Sequence, residues 1–300
     1  MQRLFAGLQS PSERVAARAA TLADRAALTR LTERAQRAYF HLDWTTLEDW
    51  LAPPDGNACL IAFRGKHIAG ALIASAQDSP VAWVRLLTIA DDHDAHSVLT
   101  TLLAPTIETL QLAGADSIAC LAHPDWLAAL LPDFGFVPFT DVTNFLKPDR
   151  AIPEYGATGD VIRRAQIGDL ATIVANDRAA FEPIWWHDRR SLERVLDGAA
   201  HFIVAEVDGR VIGHAFSDLY GERGHLVRLA VHPQRQGRGY GTRLLAESLQ
   251  HLLAVGASPI TLNTQADNYT SQSLYRRFGF APTGDSTTVM LRMVANNIRE

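Results

Sequence analysis

Cysteine is nearly absent, with only Cys59 and Cys120 in 300 residues. Both lie in apolar runs ("ACLIAF" and "IACLA"), where a thiol acts as a small buried hydrophobe. Neither has metal-ligand spacing to other cysteines or histidines, so neither a zinc site nor a disulfide framework is expected, and no metal. Long hydrophobic runs are also lacking. No apolar stretch reaches the roughly 18 residues of a membrane-spanning helix. The start, "MQRLFAGLQSPSERVAAR", lacks the apolar core and cleavage site of a signal peptide. A cytoplasmic, reduced protein is the expectation. Positive charge is scarce too: 28 Lys and Arg stand against 33 Asp and Glu, a net charge of −5. Basic surface supplies most general nucleic-acid affinity. Nucleic acid and membrane are therefore not expected partners.

What is present is globular composition, 47% hydrophobic and 20% charged. At about 100–200 residues per domain, the length suits two domains. The segment "FLKPDRAIPEYGATGD", 145–160, has two prolines, two glycines and no helical or strand period, so it reads as a linker. The halves it separates repeat each other. "RAATLAD" (Arg18 to Asp24) matches "RRAQIGD" (Arg163 to Asp169). "IAFRGKHIAGALIAS" matches "VAEVDGRVIGHAFSD". Val84-Arg85-Leu86 matches Val227-Arg228-Leu229, and Gly135-Phe136 matches Gly279-Phe280. These anchors keep their order at offsets of 143 to 145, so one fold is expected twice, over 1–150 and 151–300.

In the second half, "DVIRRA" reads as a short strand and "IGDLATIVANDRAAF" as a helix. "HFIVAEVDGRVIGHAFSDLY" reads as a hairpin turning at Asp208-Gly209. "HLVRLAVH" is a strand, and a helix runs from Gly241 to about Ala254. After the strand "PITLNT", "NYTSQSLYRRF" is a helix capped by Asp267 or Asn268, and "TTVMLRMV" is a last strand. The sum is a mixed α+β unit.

Between the strand "HLVRLAVH" and the helix lies "QGRGYG", Gln236 to Gly241. The first amides of a helix have no internal partner and carry partial positive charge. Missing Cβ atoms let an anion come close. The spacing fits neither G-x-G-x-x-G, because Thr242 stands where the third glycine belongs, nor a P-loop, because no lysine follows. It fits Gln/Arg-x-x-Gly-x-Gly at Gln236, Gly239 and Gly241. Downstream, "NYTSQSLYRRFGF" fits Asn-x-x-Ala/Ser-x-x-Leu-Tyr-x-x-x-Gly-Phe at Asn268, Ser271, Leu274, Tyr275, Gly279 and Phe280.

With these two linked motifs the sequence resembles the GCN5-related N-acetyltransferase (GNAT) family over residues 160–298, and weakly over the first half. The resemblance implies an α+β (mixed α/β) fold of two tandem GNAT-like acyl-CoA N-acyltransferase domains. Each would be a mostly antiparallel twisted sheet flanked by helices. It implies acetyl-CoA as co-substrate, bound by Leu229, Ala230 and Val231 along the pantetheine arm. The amides of Gln236, Gly237, Arg238, Gly239, Tyr240, Gly241 and Thr242 would take the pyrophosphate, with added charge from Arg235, Arg238 or Arg243. Asn268 and Ser271 would hold the arm from the other side. Tyr275 matches the family's usual general acid, which would protonate the departing thiolate. Glu222 and His225 are the candidates for the base that deprotonates the amine, with a water relay as the alternative.

Phe181, Trp185 and Trp186, in "AAFEPIWWHDRRSL", fall where the family lines its acceptor pocket. Packing alone would equally explain them. The acceptor implied is a primary amine, on a small molecule or a peptide end, and the protein a monomer or homodimer. Tandem architecture also resembles mycothiol synthase, and a non-enzymatic acyl-CoA sensor or adaptor is the reading from another class. At offset 143, Gln236, Gly239 and Gly241 align with His93, His96 and Val98 in "ADDHDAHSVLT". At offset 144, Tyr275 aligns with Leu131. The first half is therefore expected to be a degenerate, non-catalytic copy.

Overall fold

A computed structural model describes residues 14–41, 45–52, 57–76, 78–154 and 161–294. The chain forms two compact units, one of residues 1–137 with 290–300, the other of residues 138–289. The division does not follow the expected linker. Its first three residues, Phe145 to Lys147, continue a strand, and residues 155–160 lie outside those described.

The first unit runs β1 (Ala16–Ala19), α1 (Arg25–Arg34), β2 (Arg37–Phe40), α2 (Leu47–Leu51), β3 (Asn57–Arg64), β4 (His67–Ser75), β5 (Val81–Ile89), α3 (Ala95–Leu112), β6 (Ser117–Leu121) and α4 (Asp125–Leu130). Its strands lie in the order β1-β3-β4-β5-β6, with β2 also on β5. All these pairs are antiparallel except β5 with β6. Met290 and Val294, from the end of the chain, are buried in this unit's core, and the Val294 amide donates to the Asp116 carbonyl at 2.9 Å.

The second unit takes up β7 (Val137–Lys147) from Pro138 onward. It continues with β8 (Val161–Arg164), α5 (Leu170–Ala180), α6 (Arg189–Gly198), β9 (His201–Val207), β10 (Arg210–Tyr220), β11 (Arg223–Val231), α7 (Tyr240–Ala254), β12 (Ile260–Gln265), α8 (Tyr269–Arg277) and β13 (Ala281–Met293), whose last residues belong to the first unit. The strand order is β7-β12-β11-β10-β9-β8, antiparallel except for β11 with β12. Side-chain alternation sorts the two faces. Ile203, Ala205 and Ala215 point into a core with Leu244, Leu245 and Leu249 of α7. Phe202, His214 and Phe216 point the other way, where α5 packs on β10 and β11. Asp208 and Gly209, both at positive φ, make the β9–β10 turn as expected.

Several local features recur in the two units. Arg18 grips Asp24 through two hydrogen bonds, and Arg163 grips Asp169 the same way, which explains the first sequence anchor. Gly70 and Gly213 are equally forced: a Cβ would meet the Thr88 carbonyl oxygen at 2.7 Å or the Ala230 carbonyl oxygen at 2.8 Å. One anchor is out of register. Phe216 pairs with Arg228, whereas Ile73, its counterpart, pairs with Leu86. The strands that follow are thus offset by 228 − 86 = 142, and Arg85 corresponds to Val227, not to Arg228.

Candidate functional site

β11 and β12 pair only where Gly224–Leu226 face Ile260–Leu262. Beyond Leu226 the two parallel strands part. The gap opens into a cleft of about 660 Å³, walled by Leu229, Ala230 and Val231 on one side and by Asn268, Ser271 and Leu274 of α8 on the other. Gln236, Gly237, Gly239, Tyr240, Gly241 and Thr242 also line it. The local cause is the glycine loop. Gly237 and Gly239 have φ of +74° and +90°, where a side chain is strained, and Gly239 is the N-cap of α7. The Gln236 side chain donates to the Val231 carbonyl at 2.9 Å, tying the loop back to its strand. The first turn of α7, with its unpaired amides and positive dipole end, therefore faces the cleft.

The Tyr240 side chain packs in the core beneath. Arg238 does not line the cleft, and neither do Arg235 and Arg243. Asn268 caps α8, its side chain accepting from the Ser271 amide at 3.1 Å. Tyr275 is 6% exposed, packed beside Phe145 and Phe280, and not itself on the cleft wall. Its phenol is hydrogen-bonded to Ser271, which is on the wall. Burial pushes the phenol up to about 12, against the lowering effects of Ser271 and the Arg228 charge.

The two base candidates are not brought to the cleft. Glu222 is an exposed turn residue before β11. His225 is pinned to the Thr261 hydroxyl at 2.8 Å, and burial lowers its basicity. At about 3.3 Å per residue, His225 lies about 13 Å along the strand from Leu229, and Glu222 farther. Among the described residues lining the cleft there is neither a carboxylate nor an imidazole.

Of the aromatic candidates, Phe181 lines the cleft; Trp185 and Trp186 do not. The Trp186 indole donates to the Phe181 carbonyl at 2.8 Å, and its ring lies 5.2 Å from the Arg178 guanidinium carbon. Trp185 contributes its carbonyl to a buried group that sequence reasoning missed. Asp177 of α5 is fully buried and bound by Arg228 of β11 through two hydrogen bonds, at 2.8 and 2.7 Å. Arg228 also donates to the Trp185 carbonyl at 2.7 Å, and its guanidinium carbon lies 3.4 Å from the Phe181 ring centre. The His187 amide donates to Asp177 at 3.2 Å, and the buried His214 ring stands 3.4 Å from the same carboxylate. Burial alone would raise Asp177, but the Arg228 charge, with His187 and His214, holds it well below the usual carboxylate range. One ion pair thus fixes residues 181–187 beside the cleft. The available signal was a charged residue inside the apolar strand "HLVRLAVH".

The first unit's counterpart is built differently from the expected alignment. Five residues join β5 to α3, whereas eight join β11 to α7. Cap for cap, Gly239 corresponds to Asp94, not His96, because the loop is three residues shorter. The Asp94 carboxylate accepts from the Ser97 amide at 2.7 Å. Arg37 donates to the carbonyls of Ala90, Asp91 and His93, so the loop's carbonyls are engaged from within the unit. Asp92 and Asp94 line the remaining 340 Å³ hollow. Leu131 does take the place of Tyr275: Gly135 and Gly279 close the corresponding turns with φ of +75° and +84°.

Comparison with known proteins bears on this arrangement. Residues 170–280 match the acetyltransferase (GNAT) family. A Bacillus subtilis (strain 168) protein named as a putative ribosomal protein bS18-alanine N-acetyltransferase is 23% identical over 127 residues, 42% of this chain and 84% of its own. A GCN5-related N-acetyltransferase from Sphaerobacter thermophilus superposes with a TM-score of 0.61 at 18% identity, over 94% of this chain and 96% of its own. A tandem GNAT protein from the clavulanic acid biosynthesis pathway does so with a TM-score of 0.63 at 17% identity, over 94% and 98%. These two likenesses concern the fold. The class defined is an acyltransferase enzyme. The matching segment, 170–280, is that of a family whose general reaction carries an acyl group from acyl-CoA to an amine.

Proposed function

We propose that the protein is an N-acetyltransferase that transfers the acetyl group of acetyl-CoA to a primary amine by direct attack in a ternary complex, at one site in the second unit. The observation that carries this is the parting of β11 from β12 over the glycine-turned start of α7. A thioester arm laid along Leu229–Val231 would find backbone groups that β12 leaves unpaired. Its pyrophosphate would reach the amides of 237–242 without meeting a Cβ at Gly237 or Gly239. Asn268 and Ser271 would close over the arm from α8.

The amine nitrogen attacks the thioester carbon, the C–S bond breaks, and sulfur leaves as a thiolate. A coenzyme thiol near pKa 8.5 is a stronger acid than a phenol at about 12. Full proton transfer from Tyr275 would be uphill by about 3.5 × 1.36, or about 5 kcal/mol. Tyr275 therefore acts as a hydrogen-bond donor, through Ser271, to the sulfur as charge develops. The amine's own proton makes up the thiol at the end, carried by water. With no base among the described residues of the cleft wall, the acceptor must arrive partly neutral. An α-amino group, near 8, meets this better than a lysine side chain, near 10.4. Phe181 forms the acceptor-side wall, and Trp185 and Trp186 act behind it by holding the segment. The first unit, with its short, acid-capped loop, binds no coenzyme.

Thiol release over a panel of peptide N-termini, aminoglycosides and polyamines tests the reaction. Peptide N-termini should be favoured, and silence across the panel would refute it. With an active acceptor, Tyr275→Phe should lower kcat about tenfold and leave acetyl-CoA affinity within twofold; unchanged kcat removes the tyrosine's role. Equilibrium dialysis should give one acetyl-CoA per chain, and two would sink the assignment of the first unit.

A further inference from the structure

Among the described residues lining the cleft, Arg277 is the one with a permanently charged side chain. It stands in the last turn of α8, exposed, and its guanidinium donates to the Thr242 hydroxyl at 2.6 Å. Thr242 is in the first turn of α7, so the cation is held at the same helix start whose amides open to the cleft. The neighbouring Arg276 goes elsewhere, donating to Gln272 at 3.0 Å and lying over the Phe145 ring. Arg238 of the glycine loop, and Arg235 and Arg243 that flank it, are off the cleft wall. The face of the Phe278 ring, 5.9 Å from the Arg277 guanidinium carbon, steadies the group from behind.

We propose that Arg277 is the phosphate-binding cation of the coenzyme site, exchanging the Thr242 hydroxyl for a phosphate oxygen when acyl-CoA enters. A guanidinium has five donors, and the bond to Thr242 occupies one direction of its fork. The remainder suit a phosphate, which a planar fork can grip at two oxygens. Among the described residues of the wall, no carboxylate competes for it. The coenzyme offers two such groups, the pyrophosphate and the ribose 3′-phosphate, with the same recognition chemistry. This rests on the coenzyme reading above, and its test separates the two.

Dissociation constants for acetyl-CoA and for 3′-dephospho-acetyl-CoA are measured by calorimetry on the full chain and on Arg277→Ala and Arg277→Lys. Charged hydrogen bonds of this kind translate to a weakening of at least about tenfold for acetyl-CoA in Arg277→Ala. Arg277→Lys should recover part of it, since the charge remains and the fork is lost. The gap between wild type and Arg277→Ala should narrow as salt screens the exposed charge. Equal weakening for both coenzymes assigns the contact to the pyrophosphate; weakening for acetyl-CoA alone assigns it to the 3′-phosphate. Wild-type affinity of Arg277→Ala for both overturns the proposal while leaving the coenzyme site standing. A wild-type protein that binds neither overturns the coenzyme reading itself. As Arg277 is exposed, the melting temperature of Arg277→Ala should match wild type, which keeps folding out of the comparison.

Discussion

Replacing Asp177 by Asn tests the claim that a single buried ion pair organises the acceptor side of the cleft. Asn keeps the shape of the side chain and one acceptor oxygen, but leaves the Arg228 guanidinium charged, 9% exposed and without its counter-ion. Of the two hydrogen bonds at 2.8 and 2.7 Å, one is lost, because an amide NH2 cannot accept from a guanidinium, and the other loses its ionic character. Removing one partner of a buried pair costs about 3–5 kcal/mol, chiefly because the other charge remains in low dielectric. Typical domain stabilities are about 5–15 kcal/mol, so this loss is large but survivable. With two units in the chain, a single melting curve would mix their transitions. Hydrogen exchange of peptides spanning 170–198 reads the second unit alone. Protection there should fall by the equivalent of about 3–5 kcal/mol, with residues 181–187 exposed first because their anchors are Asp177 and Arg228. The acid limb should change as well. Asp177 is held below its unfolded value, so its contribution is present above about pH 4 and lost as pH falls. Asp177→Asn should flatten that limb. The double variant Asp177→Leu with Arg228→Met, which removes both charges, should be more stable than Asp177→Asn. A loss under about 1 kcal/mol, or a double variant no better than the single, would refute the reasoning.

Two further outcomes follow from the same side of the fold. Gly239→Ala places a Cβ at φ +90° with nothing within 4 Å, so its cost is backbone strain of about 1–2 kcal/mol, not a clash. Denaturant midpoints should show that small loss, and calorimetry a clear fall in acetyl-CoA affinity; unchanged affinity would mean the loop is a turn and no more. His201 stacks on His251 with ring centres 3.9 Å apart, and burial, with the His251 and Arg164 charges, pushes it down to about 4. A folded value below the unfolded 6.5 means its contribution is complete above pH 6.5 and drains as pH falls toward 4, by at most about 3 kcal/mol. His201→Phe should flatten stability across that window, and an unaltered pH profile would exclude the stacked pair as its source.

The sequence disclosed what depends on local chemistry and obscured what depends on register. Gly239 at the start of α7, Asn268 as a cap and the Asp208-Gly209 turn were legible because each satisfies a need of its own few residues. The cleft wall at Leu229–Val231 and Ser271 followed from the family resemblance that the two motifs carry. Across the repeat, by contrast, the letters gave offsets of 143 to 145, and the strand pairing adds one of 142 that no letter marks. The hairpins repeat at 143, the parallel strands at 142, and the helix caps at 239 − 94 = 145, because loops between them differ in length. Identical letters at Val84-Arg85-Leu86 and Val227-Arg228-Leu229 therefore concealed different places. That slip hid buried Arg228, which meets the Asp177 carboxylate of α5; the position equivalent to Asp177, at the offset of that helix, is Thr32, which turns its hydroxyl to the Leu28 carbonyl. It also misread why the first unit lacks a cradle. Side chains do not fill an equal space; the connection itself is three residues shorter, closed by Asp94 and tied down by Arg37. Restoring glycines to that loop would still leave it three residues shorter than its counterpart, so on the proposed reading the first unit differs in backbone length before it differs in side chains.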